Sequence, residues 1–453
     1  MELHDLLLPF PHSGGRNGKR LSIPLKNHSR RGFVLIIMAC SLVVMLAFVG
    51  LALDTGYLQL IQTRMQTAAD AAALGGVQEF RMNGTANIVT AARADATLNG
   101  LTDGVTGVTV TVNNPPTKGY SSTNSTAVEV IITKQVSTYF MKMVGSKTVT
   151  LTARSVARQG SGTTCVHALD NTIAAAFSVS NGATLVAACG ISTDSSSATA
   201  INDAGGAAIT TSSVASYGGI SVSGGSHLTA TSAIANGTVS VTGGSIMTPA
   251  ATIGGVSRLG DPLGYITAPT VGSCNYNNYV AGGGQTLTVN PGVYCGGMQL
   301  GNGARVTFNA GTYIIKGGGL NINGGVTATG TGITFYNTGA AGYTYSPIVI
   351  GNGAVVTFSA PTTGGYAGIL FFQDRSIVSA AMNQFVGGTT MNLTGSMYFP
   401  TTPVTFSNGN STASPYSIIV AKNVVFSGGV KVNNDYSSLP GGSPVRGNAV
   451  ISE

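Results

Sequence analysis

From Phe33 to Leu53 the chain reads FVLIIMACSLVVMLAFVGLAL, 21 residues without a charge. At about 1.5 Å per residue, a helix of that length spans about 30 Å, the hydrocarbon thickness of a bilayer. Arg30 and Arg31 abut its start and Asp54 its end, and residues 1–32 carry six basic side chains against Glu2 and Asp5. That asymmetry predicts a single transmembrane helix over 33–53, a basic cytoplasmic leader over 1–32 and a C-terminal bulk on the far side. A cleaved export signal is the alternative, although its apolar core usually runs only about 7 to 15 residues.

Beyond this segment the composition excludes several classes. Charged residues make up 8% of the chain, against about 25% in ordinary soluble proteins. Glycine takes 64 of 453 positions, and each costs about 1 kcal/mol in a helix interior relative to alanine, so long helices are excluded from most of the chain. Residues 161–453 hold seven basic and seven acidic side chains, without the basic face that a nucleic-acid partner requires. Cys165, Cys189, Cys274 and Cys295 fall in two local pairs, which in an exported region read as two disulfides, with the swapped connectivity left open. Cys40 lies within the apolar run. The chain has no Cys-x-x-Cys, and only His167 and His227 lie beyond the leader, so no metal and no cofactor are expected.

Past the apolar run, Tyr57, Ile61, Met65, Ala68 and Ala72 recur at helical spacing and predict one stripe that contacts a partner helix, the small alanines allowing close approach. Gly75-Gly76 is read as its terminator, with a second helix over roughly Thr85 to Leu98. The segment Gly50 to Gly76, GLALDTGYLQLIQTRMQTAADAAALGG, resembles the N-terminal part of TadE/TadG-like proteins of the tight-adherence, or Flp-type, pilus assembly system. The residues that carry the resemblance are Asp54, Gly56, Arg64, Gln66, Ala69 and Asp70. Arg31-Gly32-Phe33 is similar to the start of a prepilin processing site, but Ile37 stands where that site has Glu, so the chain is closer to the unprocessed TadG type. The resemblance implies an inner-membrane protein, with its bulk in the periplasm or reaching the outer membrane, whose partners are membrane lipid and other pilus-assembly proteins. It says nothing of oligomeric state.

After Gly100 the periodicity turns to two. Segments 105–114, 125–138 and 146–159 alternate Val, Ile or Leu with polar residues and predict strands that complete a small α+β unit over 54–160. Tyr139-Phe140-Met141 is read as an insertion belonging to the core. Over 161–453 repeats emerge: ISVSGGS (220–226) returns as VSVTGGS (239–245), GNGARVTFNA (301–310) returns as GNGAVVTFSA (351–360), and β-runs start at 286, 306 and 326. Periods near 20 with glycine corners predict coils of a right-handed parallel β-helix, the alternative being a β-sandwich. The fold expected is therefore mainly β. Cys165-Val166-His167-Ala168-Leu169-Asp170 and Pro291-Gly292-Val293-Tyr294-Cys295-Gly296-Gly297 are similar to the extracytoplasmic part of TadG-like proteins, with Tyr294 expected inside and Cys295 stapling a rung to Cys274.

No pair of acidic residues within 161–453 lies close enough in sequence to suggest a glycosidase or lyase, so no enzyme is expected. Asp194-Ser195-Ser196-Ser197-Ala198 approaches the metal loop of a von Willebrand factor A module but fails at Ala198, and is read as a polar loop. Two functions remain: a membrane-anchored structural component of pilus assembly or anchoring, and a β-helical adhesin or glycan-binding module.

Overall fold

The computed structural model describes residues 31–161, 164–351, 353–386, 390–407, 414–440 and 442–453. Most of the basic leader, residues 1–30, lies outside the described residues. The chain forms two compact units, one holding 136–149 with the described part of 1–61, the other 62–135 with 150–453.

Helix α1 covers Arg31–Asn83. It does not stop at Gly75-Gly76, as the sequence suggests, but runs on to a Gly84 with φ +77°. The two glycines serve packing instead. A Cβ on Gly76 would lie 3.0 Å from Val128 and 3.5 Å from Ala92, and one on Gly75 would collide with the Asp95 carboxylate. Ala92 and Asp95 belong to helix α2 (Ile88–Leu98), so the absent side chains let the two helices touch. Met65, Ala68, Ala69, Ala72, Ala73 and Val77 are fully buried along the same stretch.

Three strands follow, β1 (Val108–Asn113), β2 (Ala127–Ser137) and β3 (Thr148–Ser161). β1 and β2 are antiparallel, from Val108 opposite Lys134 to Asn113 opposite Glu129. The fourth strand of this sheet, Arg446–Ile451, comes from the far end of the chain and pairs antiparallel with β3. The α+β unit is thus closed by a segment outside 54–160. Arg446 also donates to the carbonyls of Phe80 and Arg81 (both 2.9 Å), in the last turn of α1, where carbonyls run out of helical donors; the Phe80 carbonyl also accepts from Gly84 N (3.0 Å).

The strands between Thr164 and Val432 form a parallel β-solenoid of about 12 turns; the sandwich is not formed. Ile220 lies over Val239 and Val222 over Val241, so the 19-residue repeat is one coil. Leu287 lies over Val306 and Val306 over Ala328. The even 20-residue spacing of the β-runs therefore misplaces register by a residue or two, because coil length varies. Inside, one aromatic stack runs Tyr276, Tyr294, Tyr313, Phe335, Phe371 and Phe399. Tyr294 is fully buried, as expected, and its hydroxyl donates to the Asn290 carbonyl.

The order of coils does not follow the chain. From Thr164 the chain climbs to Ile253, crosses over 254–275, and restarts at Tyr276 at the opposite end of the stack. The second arm then climbs until Ile419, Val424 and Val430 pair with Val166, Phe177 and Leu185 of the first coil. At this joint Phe426 stacks between Phe406 (5.3 Å) and Phe177 (5.9 Å), and Phe177 and Phe426 are fully buried. Disulfides join Cys165 to Cys189 and Cys274 to Cys295, the local pairing. The first ties the joint coil to its neighbour; the second ties the end of the crossover to the arm it starts.

Candidate functional site

Two regions collect the residues that the sequence singles out: the loop between β2 and β3 with the first part of α1, and the crossover.

In the first unit, residues 34–53 of α1 are exposed at every position except Gly50. The chain leaving β2 makes a neck where Thr138 N donates to Lys147 O (3.1 Å), then a 3-10 turn over Met141–Val144. Such a turn begins with unsatisfied amide donors. Here a carboxylate takes them: Asp54, 1% exposed, accepts from the backbone N–H groups of Tyr139 (3.0 Å), Phe140 (2.9 Å) and Met141 (2.6 Å). Phe140 lies on Gly50, where a Cβ would be 2.7 Å from its ring, and Tyr57 meets Tyr139 edge-on at 5.6 Å. Asp54 thus clasps the loop to α1. The sequence marks Asp54 but not its partners, which lie some 85 residues away, and it reads Tyr139 and Phe140 as core although both are exposed.

The clasp carries a direct test. Each charge-assisted hydrogen bond to a buried carboxylate is worth about 1.5–3 kcal/mol. Asp54→Ala is expected to speed amide exchange at 139–141 by at least about thirtyfold, equivalent to about 2 kcal/mol of local opening, while exchange in β1 stays unchanged. Hydrogen exchange of the detergent-solubilised chain reads this.

In the second unit, the predicted partner-helix stripe is largely occupied by the chain itself. Met65, Ala68 and Ala72 are fully buried, in the stretch of α1 that bonds to β3 through Gln62 and Gln66 and meets α2 and β2 at Gly75 and Gly76. Tyr57 and Ile61, in the first unit, are half-buried. Of the family residues, Ala69 is buried, and Gln66 donates to Asp70 (2.8 Å) and to the Arg154 carbonyl (3.1 Å). Gln62 makes a parallel bond to Thr152 O (2.9 Å), so two amides one turn apart fasten α1 along β3. Arg64 is exposed. Nothing lies within 4 Å of a Cβ on Gly56, and the structure gives that residue no packing role.

The crossover explains the motif at 165–170 and the loop at 194–198. Asp194 is buried and accepts from the backbone N–H groups of Leu259 and Gly260, both at 2.8 Å. Arg258 donates to the carbonyls of Asp194 (2.9 Å) and Asn171 (3.2 Å). Further along, Arg375 of the other arm donates to the Ile266 and Leu263 carbonyls (2.8 and 2.9 Å). The crossover is therefore strapped to both arms. His167 lies beneath it, Nδ1 2.6 Å from the Ser192 hydroxyl and Nε2 3.4 Å from Asp194. All three side chains are buried, and the carboxylate is already engaged by the strap, so this Ser-His-Asp grouping lacks the accessible hydroxyl that acyl transfer needs. Among the described residues no group of three or more His, Cys, Asp or Glu could hold a metal ion.

The cluster that sequence reading misses altogether is in the small sheet. Arg154 meets Glu129 (2.6 Å) and Glu453 (2.9 Å) and donates to the Lys118 carbonyl (2.6 Å). Only burial distinguishes these charges from solvated ones.

No curated protein and no solved structure matches the chain. Residues 32–79, the stretch that holds the clasping Asp54 and the buried alanine face, match the family model Tad, described as Flp pilus-assembly TadE/G-like, and the similarity is confined to that segment.

Proposed function

We propose that this protein is a single-pass inner-membrane component that assists the assembly or anchoring of Flp-type pili, its N-terminus cytoplasmic and its β-solenoid body periplasmic. The observation that carries the proposal is the matched segment 32–79 itself: an exposed apolar span followed without a break by a helix face buried in a folded unit. The basic excess before the span supports the orientation, and the two disulfides support an oxidising compartment for the body. With Met65, Ala68 and Ala72 covered, contacts with lipid and with other pilus-assembly proteins fall to the exposed apolar face of residues 34–53. The role is structural and non-catalytic, and involves no nucleic acid.

Protease treatment of spheroplasts carrying a chain tagged at both ends tests this. Both tags should fractionate with membranes, and only the C-terminal tag should be cut. Release of a soluble body lacking the N-terminal tag would overturn the anchor. That result would favour the adhesin reading, for which one observation speaks: Thr288, Thr307, Thr329 and Thr357 stand in register on successive coils, all exposed, a regular hydroxyl ladder suited to a glycan.

A further inference from the structure

We propose that the loop over 139–144 is a second membrane contact, inserting Tyr139, Phe140 and Met143 into the outer-leaflet boundary beside the helix that spans it. This rests on the anchor reading and adds to it a lipid-binding element that the matched segment 32–79 does not contain.

Three large apolar side chains in one short loop face solvent: Tyr139 is 67% exposed, Phe140 44% and Met143 84%. Exposed singly, such residues are ordinary, but a contiguous group marks an interaction surface. What covers this one follows from where it sits. Phe140 packs on Gly50, three residues inside the end of the apolar run, which is about 5 Å along the helix. Phe140, Met141 and Met143 also border an apolar groove of about 700 Å³ whose other wall is α1 from Val43 to Leu51. The loop therefore lies alongside the span rather than beyond it. A bilayer that surrounds residues 34–53 must also meet the loop.

Six backbone donors of the loop satisfy the condition for that environment. In lipid, polar backbone groups need partners within the protein. The N–H groups of Tyr139, Phe140 and Met141 go to Asp54, that of Met143 to Phe140 O, that of Gly145 to Lys142 O, and that of Ser146 to Met141 O. Asp54 is thereby buried under the loop instead of facing hydrocarbon. Lys142 and Lys147 are exposed on the same loop, with stems long enough to carry their ammonium groups to lipid phosphates. Aromatic residues at the boundary with flanking lysines are the usual arrangement at a membrane interface.

The chain has no tryptophan, so one substitution supplies a unique fluorophore. The full chain is reconstituted in phosphatidylethanolamine–phosphatidylglycerol vesicles containing lipids brominated at shallow or deep acyl positions, as Met143→Trp and, separately, Leu46→Trp within the span. Both emissions should be blue-shifted and protected from aqueous acrylamide. Met143→Trp should be quenched at least about twofold by the shallow bromines and less by the deep ones, as expected for a residue at the interface. Adding Asp54→Asn should release the loop and raise acrylamide quenching of Met143→Trp while leaving Leu46→Trp unchanged. If Leu46→Trp is lipid-quenched but Met143→Trp is quenched by acrylamide, the loop proposal falls and the anchor stands. If Met143→Trp is shielded from both quenchers, protein rather than lipid covers the loop and the proposal also falls. If neither residue is reached by the brominated lipids, the anchor itself falls. Tyr139→Trp repeats the measurement should Met143→Trp fail to fold.

Discussion

Glu129→Ala is expected to destabilise the small sheet by about 3 kcal/mol, the low end for breaking a buried ion pair. The Glu129 side chain is fully buried and takes hydrogen bonds from Arg154 (2.6 Å), Thr117 N (3.0 Å), Thr117 Oγ1 (2.6 Å) and Asn113 (2.9 Å). Removing it strips Arg154 of its closest counter-ion and leaves three donors unpaired. Arg154 keeps Glu453 and the Lys118 carbonyl, which holds the loss at the low end. The pH dependence follows from the same contacts. Burial by itself would raise the Glu129 carboxyl, but the bonds from the Thr117 hydroxyl and amide, Arg154 and Asn113 outweigh it and hold the pKa at about 2, against 4.5 for a free group. A carboxylate depressed in the folded state contributes stability that is fully present above pH 4.5 and is lost as pH falls towards and through 2. The difference of about 2.5 pKa units amounts to about 3 kcal/mol. Hydrogen exchange in β2, followed from pH 7 to pH 3, should show the native sheet loosening and Glu129→Ala already loose at pH 7. Equal protection in the two chains at pH 7 would refute it.

Asp203→Val is expected to do the reverse and stabilise the solenoid, by about 4 kcal/mol more at pH 8 than at pH 4. Asp203 lies on an inward face, in register between Val179 and Val222, is fully buried, and has no hydrogen-bond partner for either carboxylate oxygen. Burial pushes its pKa up to about 7 from 3.8. An acid raised in the folded state gives stability that is fully present below pH 3.8 and is lost as pH rises through 7. Above that, folding keeps an uncompensated charge among valines, and valine, close to aspartate in volume, removes the charge without opening a cavity. Urea midpoints of the two chains at pH 4 and pH 8 measure the effect, and a pH-independent gap would sink it. The two acids thus act in opposite directions: Glu129 weakens the fold as pH falls from 4.5 towards 2, Asp203 as pH rises from 3.8 to about 7.

Much of the architecture was legible in the residues because it rests on local rules. The apolar run implies its helix by length alone. Val and Ile at every second position define β1, β2 and β3 to within a few residues, since the period of a strand is two. The local Cys pairs and Tyr294 follow from a coil length that returns them to adjacent rungs. The failures share a different cause. Gly75-Gly76 reads as a stop because glycine is a poor helix former, yet α2 and Val128 make its missing side chain the better choice. The alanine stripe implies a close neighbour, but not that the neighbour is the chain's own. Asp54 is marked as a family residue, while its bonds to 139–141 require the β2–β3 loop to return to α1.

Taken alone, then, the sequence determines one apolar span, a short α+β segment and a stack of disulfide-stapled parallel coils, because each follows from periodicity, composition or spacing, while its N-terminal stretch resembles TadE/G-like proteins through particular residues. Only the tertiary structure decides the order of the coils, the return of Arg446–Ile451 to the first sheet, the strap on Asp194 and the fate of each charge. The physical reason is that every coil presents nearly the same inward apolar edge, so periodicity requires coils to stack without saying which meets which. The pairing of Val430 with Leu185, like that of Glu129 with Arg154, is settled only when the whole chain has packed.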